Sequence, residues 1–134
     1  MFVDTGGFLA RHLAGDQHHK SAVRYWKKIE KENARLFTSN LVLNEFFTLL
    51  GRRAGHCFAA ARARAVYASR QLEILRPGAE EEKAAVKLFE KYADLRVTFT
   101  DCVSFVLMRR ERLTSVFGFD SHFEIVGFRR MPGT

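Results

Sequence analysis

Four carboxylates stand in this chain where charge is not expected. Asp4 closes the apolar run Met1-Phe2-Val3, and Glu45 interrupts Leu41-Val42-Leu43-Asn44-Glu45-Phe46-Phe47. Asp101 lies at the centre of the apolar stretch 97–108, and Asp120 follows Ser115-Val116-Phe117. A carboxylate in apolar surroundings is costly unless it is paired, hydrogen-bonded or bound to a cation. Gathered in one place, four would repel one another until protons or cations neutralised them. Oxygen ligands without Cys or His suit the hard ions Mg2+ or Mn2+. Such ions polarise phosphoryl oxygens, activate water and shield a leaving oxygen. Taken singly, each acid has a plainer role. Asp4 can cap a helix starting at Thr5, and Asp101 can serve the first turn of a helix capped by Thr100. Asp120 can open a turn, and an Arg partner would serve Glu45. The joint occurrence is what points to a site.

The elements that would position these acids follow from periodicity. Met1-Phe2-Val3 reads as a buried strand that turns through Asp4-Thr5-Gly6-Gly7 into a short helix carrying Phe8, Leu9, His12 and Leu13. Between residues 18 and 33, Ala22, Tyr25, Trp26 and Ile29 recur at helical spacing, with a Lys-rich outer face. Residues 35–38 form a second strand, Ser39 caps the helix carrying Glu45, and Gly51 to Gly55 break it. A helix over 57–70, a strand over 72–75 and a helix over 80–92 follow. The Thr100 helix is too apolar for a surface helix and should run through the core. Residues 114–118 form a strand, 124–128 a last short strand or turn, and residues from 129 a tail. This alternation predicts one α/β domain over 1–134, with a central, mostly parallel sheet of four to five short strands flanked by helices. In such a sheet the strand C-termini share one edge, where ligands bind. Asp4 and Asp120 belong to that edge, and Glu45 and Asp101, early in their helices, reach it too.

Composition bounds the partner. The formal net charge of +7 favours a polyanion, and a basic surround would lead a phosphodiester chain to an acidic metal pocket. That combination fits a metal-dependent nuclease. Arg52, Arg53, Arg62, Arg64, Arg109, Arg110 and Arg112 are candidate phosphate contacts, although solvated helix faces explain them equally well. No apolar run reaches the length of a membrane span, and no basic region precedes the first apolar segment, so a cytoplasmic protein is expected. Cys57 and Cys102 suggest neither a disulfide framework nor a zinc site. The histidines lack a catalytic pattern, and His122 is expected to pack or face solvent.

Four short motifs, in order and spaced across the whole chain, give it a family likeness. They are Val3-Asp4-Thr5; Thr38-Ser39-Asn40-Leu41-Val42-Leu43-Asn44-Glu45; Phe99-Thr100-Asp101-Cys102-Val103-Ser104-Phe105; and Val116-Phe117-Gly118-Phe119-Asp120-Ser121-His122-Phe123. With these the chain resembles a PIN domain, most closely the small VapC-type toxin ribonucleases of toxin–antitoxin systems. The resemblance implies a Mg2+ or Mn2+ site of one or two ions held by Asp4, Glu45, Asp101 and Asp120, with Thr5, Ser39 and Thr100 in support. It also implies endoribonuclease activity on structured RNA such as tRNA or rRNA, a cognate antitoxin protein and a homodimer. Gly6-Gly7 is looser than the family's usual turn; it either offers N–H groups to a phosphate or merely turns the chain. An Asp-nucleophile phosphatase of the haloacid-dehalogenase kind would need a second acid two positions after Asp4, where Gly6 stands. A PIN-like module that binds RNA without cutting it would be favoured by missing acids, and all four are present.

Overall fold

A computed structural model describes residues 1–133. Five strands, β1 (Phe2–Val3), β2 (Leu36–Ser39), β3 (Leu72–Leu75), β4 (Ser115–Phe117) and β5 (Arg129–Met131), form one sheet in the order β3-β2-β1-β4-β5. Every pairing is parallel, with Phe2 opposite both Phe37 and Val116. Between them lie α1 (Thr5–His12), α2 (His19–Lys31), α3 (Asn40–Ala54), α4 (His56–Ala68), α5 (Ala79–Lys91), α6 (Phe99–Arg110) and the single turn α7 (His122–Ile125). The strand order grows outward from β1 in both directions. Right-handed crossovers therefore place α1 to α4 on one face and α5 and α6 on the other. The packing agrees: Phe8, Trp26, Phe46 and Phe117 form one aromatic cluster, and Tyr92, Phe105, Phe123 and Phe128 a second.

The central strand β1 is apolar throughout because both of its faces are covered. Phe2, Val3, Val116 and Phe117 are wholly buried, as a doubly covered parallel strand requires. In α2 the core face is Ala22, Trp26 and Ile29. As its composition demands, α6 is almost entirely internal, with Asp101 to Phe105 and Leu107 to Met108 buried.

Four sequence expectations are corrected. The first helix starts at Thr5, directly after Asp4, so Gly6 and Gly7 are helical and not a turn. Gly51 does not break α3, which continues to Ala54 because Gly51 is buried inside it. The break falls at Gly55, whose φ of 92° disfavours other residues. Residues 122–125 are helical, and the final strand is Arg129–Met131, in the expected tail. Thr100 is not the cap of α6: Thr98 is, and Thr100 is the second helical residue.

Candidate active site

In this strand order the switch point lies between β1 and β4, where consecutive crossovers leave in opposite directions, and open parallel sheets bind ligands there. Asp4 follows β1 and Asp120 follows β4 by three residues, so both stand at the switch point. The backbone fixes Asp4 tightly. Its N–H donates to the Phe117 carbonyl at 3.0 Å, and its own carbonyl accepts from Gly7 and Phe8 at 3.0 and 3.2 Å, opening α1. Asp4 is thus the N-cap of α1, yet its side chain makes no capping hydrogen bond. The capping reading accounts for the backbone and leaves the carboxylate unexplained.

Asp101 is the third residue of α6 and closes a capping box. Its Oδ2 accepts from the Thr98 N–H at 3.0 Å, and its own N–H donates to Thr98 Oγ1 at 3.0 Å. One carboxylate oxygen is thereby fixed and the other left to the site. Asp120 Oδ1 accepts from the His122 N–H at 2.9 Å and lies 3.0 Å from His122 Nδ1. Ligand atoms of Asp101, Asp120 and His122 lie within 4.8 Å of one another. Glu45 is half-buried, off the core face of α3 formed by Val42, Leu43, Phe46 and Leu50, so an apolar environment does not force it to seek a partner. It is nonetheless near enough to act electrostatically on both Asp4 and Asp101. Ser39 caps α3 as expected, accepting from the Val42 N–H at 3.1 Å.

The electrostatics follow from burial. Asp4 is 5% exposed. Desolvation pushes its carboxyl up to about 8, Asp101 adds to this, the Thr5 N–H draws it back in part, and Asp120 and Glu45 raise it further. Asp101 is also raised, first by burial and then, against its Thr98 hydrogen bonds, by Asp120 and Glu45. Among the described residues, no Lys or Arg comes within ion-pair distance of Asp4, Glu45, Asp101 or Asp120. The cluster therefore lacks a protein cation. Thr5 Oγ1, next to Asp4, and Asn40 Oδ1, at the start of α3, are buried without a hydrogen-bond partner. Such orphaned atoms near carboxylate oxygens fit a hydrated divalent ion.

Sequence reasoning set His122 aside and did not single out Asn40. His122, within reach of the site through Asp120, is read in the sequence as a surface or packing residue, and the structure places it beside Asp120 in the turn that Asp120 organises. Asn40 carries no such signal; only the end of β2 places it at this edge.

A pH dependence follows. From about pH 4 to about 8 the unfolded chain ionises Asp4 while the fold keeps it protonated, so unfolding releases a proton and stability falls as pH rises. His12, depressed to about 4 by burial and by Arg11, Arg62 and His19, acts the other way below about pH 6.5. The clear window is about pH 6.5 to 8, where the melting temperature in EDTA should fall and Mn2+ should restore it. A flat profile in calorimetry, or one indifferent to Mn2+, would contradict the assignment.

Carboxylates gathered at the switch point of a parallel α/β sheet suit a protein that holds a divalent ion against a phosphate ester. The chain belongs to the PIN-domain family, whose model matches residues 1–129. It is 34% identical, over 96% of its own length and 95% of theirs, to proteins named 23S rRNA-specific endonuclease VapC20 from two Mycobacterium tuberculosis strains. The crystal structure of Mycobacterium tuberculosis VapC20, described as a sarcin-ricin loop cleaving toxin, superposes with a TM-score of 0.86, covering 95% of each chain. A DNA-bound VapBC structure from Salmonella typhimurium shares the fold at a TM-score of 0.68 and 14% identity, over 96% of this chain and 94% of that one. No helix among the described residues is long and apolar enough to cross a membrane.

Proposed function

We propose that this chain, as one nuclease domain over residues 1–134, is a Mg2+- or Mn2+-dependent endoribonuclease and the toxin of a type II toxin–antitoxin pair. The observation that carries this reading is the meeting of Asp101, Asp120 and His122 within 4.8 Å at the switch point, beside buried Asp4 and with no Lys or Arg paired to these acids among the described residues. The named activity of the 34%-identical relatives supports rRNA as the substrate. A cognate antitoxin and a homodimer follow from the family likeness, and action in the cytoplasm suits the substrate.

Asp4, Asp101, Asp120 and Glu45 would hold the ion. When bound, it supplies Lewis acidity toward a phosphate oxygen and toward an attacking water. The chain's own part is positioning. Thr98 and His122 each fix one oxygen of Asp101 and Asp120. Ser39 anchors the start of the helix carrying Glu45. Thr5 extends the polar lining beside Asp4, while Thr100 supports α6 through its carbonyl, which accepts from Ser104 Oγ at 3.0 Å.

The test uses Asp101→Asn. The amide oxygen can still accept from the Thr98 N–H, so the capping box survives while the charge goes. The unsubstituted protein should cleave ribosomal RNA with Mg2+ or Mn2+ and not with EDTA. The variant should lose roughly a thousandfold or more with its melting temperature intact. Retained cleavage in the variant would remove Asp101 from the site, and no cleavage by either protein would remove the nuclease reading.

A further inference from the structure

The outer face of α2 is a stripe of cations. Lys20, Arg24, Lys27 and Lys31 recur at helical spacing directly opposite the core residues Ala22, Trp26 and Ile29, and all four are exposed. They extend over about 16 Å of helix. Among the described residues, none of them has an acidic partner within ion-pair distance. The acids of this helix lie elsewhere: Glu30 is engaged by Arg11 and by the Trp26 Nε1–H, and Glu32 is the C-cap. Helix α5 shows the ordinary alternative, with Glu80, Glu81, Glu82 and Glu90 interspersed among Lys83, Lys87 and Lys91, and Lys83 paired to Glu80 at 3.6 Å.

The stripe is also anchored to the site. His18, the residue before α2, stacks on Phe119 with ring centroids 4.2 Å apart and planes parallel. Phe119 immediately precedes Asp120, and its carbonyl accepts from Arg130 at 2.7 Å. The other end of α2 is tied to the opposite edge of the sheet, where the Gln71 side chain donates to the carbonyls of Ile29 and Ala34. The stripe thus starts beside the acidic pocket and runs away from it.

We propose that the outer face of α2, through Lys20, Arg24, Lys27 and Lys31, is a phosphate track that holds the RNA strand leading into the acidic pocket. This rests on the reading of the chain as a ribonuclease. Evenly spaced cations, with half-buried Val23 beside Lys20, Arg24 and Lys27 and no exposed aromatic among them, suit a sugar–phosphate backbone, which is recognised by charge. A protein partner would want apolar anchors. Those occur on α4, where exposed Phe58 and Tyr67 accompany Arg62 and Arg64.

The test compares the Lys20→Gln/Arg24→Gln/Lys27→Gln/Lys31→Gln variant with a Lys83→Gln/Lys87→Gln/Lys91→Gln control on α5. Both are made in the Asp101→Asn background, so that RNA is bound and not consumed. Polarisation of a fluorescein-labelled RNA hairpin is read across a salt series. Removing the stripe should weaken binding by roughly tenfold or more and lower the slope of log affinity against log salt by about three, the control changing far less per charge removed. In the otherwise unsubstituted enzyme the stripe variant should lose cleavage of ribosomal RNA but keep that of a trinucleotide, which is too short to reach the track. An unchanged melting temperature certifies the fold. Unchanged affinity and salt slope would overturn the proposal, whatever acidic protein the stripe then proves to bind. Absence of cleavage by the unsubstituted chain would overturn the nuclease reading instead, and the binding comparison would still decide the track.

Discussion

Asp4→Asn is expected to abolish cleavage and to make the metal-free protein more stable. The two effects have one cause. Asp4 is 5% exposed, has no protein cation beside it, and makes no side-chain capping bond. A tenfold change in proton affinity corresponds to about 1.4 kcal/mol, so holding this carboxyl at about 8 and not at 3.8 bounds the cost of its charge at ~6 kcal/mol. The new amide needs hydrogen-bond partners of its own, so the gain should be nearer ~2 kcal/mol, or roughly 8 °C in melting temperature at pH 8 in EDTA. The pH dependence between about 6.5 and 8 should flatten as well, because the proton released on unfolding is gone. Cleavage should fall about a thousandfold or more. A structural acid would behave oppositely, since its removal would destabilise the protein. A variant that is inactive and less stable would therefore remove Asp4 from the candidate site and return it to the architecture.

Much of this was legible in the sequence, for identifiable reasons. The apolar runs Met1-Phe2-Val3 and Ser115-Val116-Phe117 read as buried strands because a parallel sheet covered on both faces needs no alternation, and both strands are wholly internal apart from half-buried Met1 and Ser115. The strand over 72–75 falls where expected, between a helix and Pro77-Gly78. The acids were visible because a charge within an apolar run is anomalous whatever the fold. The convergence of Asp4 with Asp120 needed only the rule that ligands sit at strand C-termini.

What was not legible depends on contacts between distant residues. Thr98 and Thr100 are equally good caps by composition, and the choice fell to Thr98 because Asp101 can close a box only with the residue three before it. Glu45 stands among apolar sequence neighbours, yet it lies off the core face and is only half-buried. The strand at Arg129–Met131 has no apolar run to announce it. It forms because Gly118 donates to the Met131 carbonyl at 3.1 Å and the Arg129 N–H to the Thr114 carbonyl at 2.8 Å, extending the sheet past β4.

The pair Gly6-Gly7 divides in the structure, and the division predicts the second large effect. Gly7→Ala should destabilise the protein by about 3 kcal/mol or more, whereas Gly6→Ala should be neutral or slightly stabilising. A Cβ at Gly7 would lie 2.5 Å from the Phe117 carbonyl oxygen and 2.8 Å from its ring, and the backbone member of that pair cannot move aside. A Cβ at Gly6 would meet only the Phe119 nitrogen at 3.8 Å, an ordinary contact, and Ala is the better helix former there. The Gly7 N–H donates to the Asp4 carbonyl, so it is committed to starting α1 and not to binding a phosphate. The close approach has a functional purpose. It lets the first turn of α1 lie against the end of β4, the strand leading to Asp120, while Asp4 stays hydrogen-bonded to Phe117. On the other side of that corner a Cβ at Gly118 would stand 3.3 Å from the Asp4 Cβ, so a second glycine keeps the two acid-bearing segments together. Gly7→Ala should therefore lower the melting temperature by roughly 10 °C or more and weaken Mn2+ stabilisation at the same time, since the corner that carries Asp4 would be pushed away from Asp120. Equal tolerance of alanine at both glycines in thermal denaturation would show that β4 and α1 do not need this approach, and that the carboxylates are brought together by some other part of the fold.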